Sequence, residues 1–79
     1  SQKEYNKKLK NKLAAHYVYI LRELLNSRSF KKEIKTIKEF VTKTKKFVKE
    51  NSDDIEEYNI TMINESLRKF EIKIKYYDK

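Results

Sequence analysis

Seventy-nine residues without one glycine or proline leave this chain few ways to turn sharply. Tight two-residue hairpin turns need positive φ, which glycine supplies without steric cost, and proline breaks a helix by its missing donor. Element boundaries must therefore come from polar capping residues and from breaks in apolar periodicity. Two clusters qualify, Asn26-Ser27-Arg28-Ser29 and Asn51-Ser52-Asp53-Asp54. Serine and asparagine oxygens accept from free backbone amides, so each cluster suits the end of one helix and the start of the next element.

The first segment so delimited predicts a helix over about 3–26, because Leu9, Leu13, Tyr17, Ile20 and Leu24 recur at three- and four-residue steps. Leu21 and Leu25 widen that stripe. A second helix is expected over about 29–50, where Phe30, Ile34, Ile37, Val41, Thr44 and Val48 keep the same rhythm and Phe40 and Phe47 broaden the face. Lys31, Lys35, Lys38, Lys45 and Lys49 follow one position later, which places a lysine ridge about 100° round the helix from the apolar stripe.

Residues 57–77 admit two readings. As a helix, Ile60, Ile63, Leu67, Phe70, Ile74 and Tyr77 share one stripe and Asp53 with Glu56 forms a capping pair, but Ile72 and Tyr76 are left in water. As strands over about 57–63 and 69–77, Phe70, Ile72, Ile74 and Tyr76 face one way and Glu71, Lys73 and Lys75 the other, with Asn64-Glu65-Ser66 as the connection. The seven-residue alternation favours the strands. The expected fold class is thus α+β, two amphipathic helices followed by an antiparallel β-hairpin, with an all-α three-helix bundle as the alternative.

Length and composition bound the chemistry. A chain this short makes one small domain, or the N-terminal fragment of a larger one, and buries only about 60% of its unfolded surface. It has no cysteine and one histidine, His16, which removes thiol chemistry and histidine-based metal clusters. The acidic group Asp53, Asp54, Glu56 and Glu57 matches no calcium loop, and Ser27 and Ser29 have no neighbouring base. No catalytic residue, metal or cofactor is expected, nor a bilayer-spanning segment, which needs about 20 apolar residues; the chain is expected to be intracellular, cytoplasmic or nuclear. Charge is uneven: residues 1–50 hold 15 basic and 5 acidic side chains, residues 51–79 hold 5 and 7. Such a basic half attracts nucleic acid or an acidic protein surface through screened Coulomb forces.

With the ribbon reading, the stretch Y-N-I-T-M-I-N-E-S-L-R-K-F-E-I-K-I resembles the first two strands of the ubiquitin-conjugating fold, closest to the Q-type conjugating enzymes. Tyr58, Ile60, Met62, Asn64, Glu65, Ser66, Leu67 and Phe70 carry the likeness, and I-L-R-E-L-L followed by S-R-S-F at 27–30 is similar to the end of that family's N-terminal helix. Residues 31–57 would be an insertion, and the family's catalytic cysteine and His-Pro-Asn segment have no counterpart in this chain. The resemblance implies a non-catalytic protein-interaction element whose first helix docks ubiquitin-pathway enzymes, with Arg22 meeting an acidic partner and Lys7, Lys8, Lys10 and Lys12 steering. An exposed edge at 70–77 would add a protein partner or a second copy through Phe70, Ile72, Ile74 and Tyr76. The other function expected is that of a small basic helical protein, of a kind carried by viruses or mobile elements, which binds nucleic acid or regulates a protein. Nucleic-acid binding is expected to be weak and nonspecific, with Tyr76 and Tyr77 beside Lys73, Lys75 and Lys79 as stacking candidates.

Overall fold

The computed structural model describes residues 1–77 and consists of three helices, α1 (Gln2–Leu25), α2 (Ile34–Asn51) and α3 (Glu57–Tyr77). Asn11 bonds to Asn59 and Leu25 to Lys73, the same separation of 48 residues at both ends, so α1 and α3 run parallel. Helix α2 returns antiparallel between them, and the Tyr17 ring of α1 meets both Phe40 and Phe47 of α2, at 5.6 and 4.7 Å between centroids. The bundle is long and narrow, 48 × 18 × 17 Å.

One core runs its length. Ala14, Val18 and Leu21 of α1, Ile37 and Val41 of α2, and Ile63, Leu67 and Phe70 of α3 are buried together. Each connection contributes a plug. Ile55 closes one end of the core, and Phe30 the other, stacking on Phe70 at 6.0 Å. Residues 26–33 are turns rather than the first coil of α2, yet Phe30 keeps its place in the core. Ser29 Nα–H donates to Ser27 Oγ, and the Glu33 amide donates to the Ser29 carbonyl, which supplies the polar punctuation that glycine would otherwise provide. No described residue has positive φ, so both connections are built from right-handed and extended backbone alone.

The ribbon expected at 57–63 and 69–77 is absent: both segments lie in α3, and the described residues contain no strand. Asn64-Glu65-Ser66 is mid-helix, with Ser66 buried, rather than a connection between strands. The three-helix alternative is the fold. A helix satisfies every interior backbone group by itself, whereas a two-stranded ribbon is marginal in water. Exposure of Ile72 and Tyr76, 71% and 66%, is outweighed by burial of Ile63, Leu67 and Phe70 against two other helices. With the strands goes the edge through which residues 70–77 were to recruit a partner. The resemblance to the ubiquitin-conjugating fold, which rested on those strands, loses its structural basis too. Among the described residues no helix is long and apolar enough to cross a membrane.

Candidate functional site

The first turns of α1 project past the start of α3 and meet the connection at 53–56 through Lys7 and Lys8. Residues 1–9 are exposed, because α3 begins only alongside residue 9 in the register set by the Asn11–Asn59 and Leu25–Lys73 bonds. From this projecting part into the bundle, Tyr5, Leu9 and Leu13, four residues apart, form an exposed apolar stripe, with 57%, 47% and 46% of their surface in water. The stripe runs into a hollow of about 170 Å³ between α1 and α2, lined by Leu13, His16, Tyr17, Ile20, Phe40 and Lys43. Sequence periodicity placed Leu9 and Leu13 in the core. In the bundle the buried face of α1 is rotated toward Ala14 and Val18, since it has to serve α3 as well as α2.

The four lysines expected to steer a partner are split by the fold. Lys8 and Lys12 flank the apolar stripe, lining a small depression with Tyr5 and Leu9, and form no ion pair among the described residues. Lys7, together with Lys8 and Lys12, lines a broader hollow of about 680 Å³ that also holds Asp53, Asp54 and Glu56. Lys10 is spent on structure: its Nζ lies 2.8 Å from Asp54 Oδ2. That hydrogen bond, aided by the charges of Lys10, Lys7 and Lys3 against partial desolvation, holds the Asp54 carboxyl below its ordinary value of 3.8.

Beside this pair Asn11 makes a clasp that nothing in the sequence announced. Its Oδ1 accepts from the Glu56 amide at 2.8 Å and from Asn59 Nδ2 at 3.0 Å, while its Nδ2 donates to the Lys7 and Asp54 carbonyls. A residue of α1 thus caps the start of α3, a task expected of Asp53 and Glu56. Arg22 reaches α3 through Nη2 to Met62 Sδ, 3.7 Å away, and lines the α1–α3 side, apart from the stripe.

At the other end the expected set Phe70, Ile72, Ile74 and Tyr76 is divided between inside and outside. Phe70 is fully buried and Ile74 half-buried, whereas Ile72 and Tyr76 point to solvent. Tyr76 stands edge-on to Tyr77, 5.0 Å between centroids. Lys73 does not serve a stacking site: its Nζ donates to the Leu25 carbonyl at 2.6 Å and sits 4.4 Å above the Phe30 ring, closing the C-terminus of α1. Lys79 lies outside the described residues.

The described residues contain no group of three or more metal-ligating side chains, and His16 is an exposed residue at the mouth of the α1–α2 hollow. The surface presents an exposed apolar stripe with lysines beside it and, separately, the lysine-rich exterior of α2. Compared with known protein families, curated proteins and solved structures, the chain matches none. The ubiquitin-conjugating resemblance, already without its strands, is therefore not supported by any family match either.

Proposed function

We propose that this protein is a non-catalytic interaction module whose projecting α1 half docks an acidic amphipathic helix of a protein partner. The observation that carries this is the exposed Tyr5–Leu9–Leu13 stripe with Lys8 and Lys12 beside it and Lys43 at its far end. Apolar side chains at i, i+4 and i+8 on one exposed helix face suit packing against the apolar face of a second, amphipathic helix. Completing the burial of Leu9 and Leu13 contributes roughly 1 kcal/mol each. Charge selects the occupant. A second copy of this chain, itself +8, would bring lysines against lysines across such a face, whereas glutamates beside an apolar stripe meet Lys8, Lys12 and Lys43 and speed the encounter.

The test is an NMR titration of the labelled protein with two designed helical peptides. They share an apolar face and differ in whether glutamates or lysines flank it. The glutamate peptide is expected to shift amides around Tyr5, Leu9, Leu13 and Lys43 and to lose affinity at least tenfold against Leu9→Ser/Leu13→Ser. Equal binding of both peptides, shifts confined to another face, or no binding of the glutamate peptide would overturn the reading.

A further inference from the structure

Helix α2 carries a second surface that shares no residue with the stripe. At 100° per residue, Lys35, Lys38, Lys45, Lys46 and Lys49 fall within an arc of about 100° on its solvent side. No acidic residue of α2 enters that arc; Glu39 and Glu50 border it on the side toward α1. Arg68, Glu71 and Lys75 continue the surface across α3, being three and four residues apart on one helix face. Lys38, Lys45, Glu71 and Lys75 line the hollow of about 370 Å³ between the two helices. Among the described residues, seven cations thus share the surface with one carboxylate. Glu71 is paired with Lys45 at 3.2 Å, both side chains half exposed, and a pair of that kind is weak and readily exchanged. Lys35, Lys46 and Lys49 are exposed and form no ion pair among the described residues.

We infer that this α2–α3 face is a binding site for the phosphate backbone of double-stranded nucleic acid, engaged without regard to base sequence. Lys35 to Lys49 spans about 21 Å of helix. A duplex presents one phosphate per about 1.7 Å of axis, so a row of that length passes about a dozen phosphates in any register. Lysines on flexible stems act there as point charges and need no fixed geometry. Base reading is carried chiefly by fixed, bidentate arginine, asparagine or glutamine side chains; the α2 arc holds flexible lysines and Thr42, whose hydroxyl donates to the Lys38 carbonyl, and α3 adds a single arginine, Arg68. An anionic bilayer fits less well, because interfacial helices insert large apolar groups. Of the exposed ones here, Tyr5, Leu9 and Leu13 lie on α1, and Ile72 borders the face beside Arg68 and Lys75.

Fluorescence anisotropy with two unrelated 20-bp duplexes over a salt series tests the site. The two duplexes are expected to bind alike, with log K falling against log salt at a slope of about −3 to −5, as for four or five phosphates neutralised. Lys35→Gln/Lys46→Gln/Lys49→Gln should weaken binding at least tenfold at low salt. Lys7→Gln/Lys8→Gln/Lys12→Gln, which removes the same charge from α1, should change it less than threefold, and Glu71→Gln should tighten it severalfold. All substituted side chains are exposed, and circular dichroism checks that each variant stays folded. Equal losses from the two triple variants would show a net-charge effect and overturn the site. So would the absence of duplex binding at 50 mM salt, or tighter binding to phosphatidylserine vesicles with the same dependence on Lys35, Lys46 and Lys49.

Discussion

Asn11 does at long range what a capping serine does locally. The α3 N-terminus has free amides that need acceptors, and Glu56 Nα–H finds one in Asn11 Oδ1. Because the same side chain also donates to the Lys7 and Asp54 carbonyls, its loss strands groups on both sides of the joint. Asn11→Ala is expected to lower stability by about 1–2 kcal/mol in urea unfolding, with the α3 amides nearest Glu56 losing hydrogen-exchange protection first. A change under about 0.3 kcal/mol would mean that water replaces the clasp without loss. No local signal marks this role. Asparagine inside a helix reads as a neutral surface residue, and its partners lie 43 to 48 positions away.

At the scale of the element, α3 shows how two periods compete in one segment. Phe70, Ile72, Ile74 and Tyr76 alternate as a strand would, while Ile63, Leu67 and Phe70 also fit a helical stripe. The helix wins because its stripe meets two partners: Phe70 contacts Phe30, and Ile74 reaches the α2–α3 groove. Phe70→Ala should therefore cost about 3–5 kcal/mol by chemical denaturation. Ile72→Lys, at a solvent-facing position, should fall within about 0.5 kcal/mol of the parent. A ribbon would make Ile72→Lys as damaging as Phe70→Ala, so similar losses would speak against the helix. In α1 the periodicity was right and the face right in part: Tyr17 and Leu21 are buried, Leu9 and Leu13 are not. Leu9 and Leu13 lie off the side of α1 that faces α3, and the small Ala14 takes the buried place instead.

Over the whole molecule, charge sets the response to acid. The chain holds 20 basic and 12 acidic residues, so protonating carboxylates leaves a strongly repelling cation. Asp54 is the carboxylate whose protonation matters to the fold, since its hydrogen bond from Lys10 ties the second connection to α1. Its pKa is depressed in the folded state, so its contribution is fully present above the ordinary value of 3.8 and is lost as pH falls below that value through the lower folded one. Thermal melts of the parent and of Asp54→Asn from pH 7 to pH 2 should differ most at neutral pH and converge below about pH 3. Parallel curves across the whole range would remove Asp54 from the acid response.

The places of α1 and α2 along the chain were legible because each carries an apolar stripe ended by a polar cluster, and the missing glycine already weighed against a tight hairpin. Periodicity also identified Phe30 as core, although not that it sits in a turn. Lys35, Lys38, Lys45 and Lys49 of the α2 ridge followed from spacing alone, being a property of one helix, whereas Lys31 falls in the preceding turn. Tertiary structure decided the rest. It chose helix over ribbon for 57–77, since only packing against α1, α2 and Phe30 offsets the exposure of Ile72 and Tyr76. It separated Lys10 from Lys8 and Lys12, and it left Tyr5 uncovered by starting α3 alongside residue 9, and Leu9 and Leu13 by turning the buried face of α1 toward Ala14 and Val18. The physical reason is common to these cases: a periodic pattern states which residues can share a face, but only the neighbouring helices determine whether that face is buried.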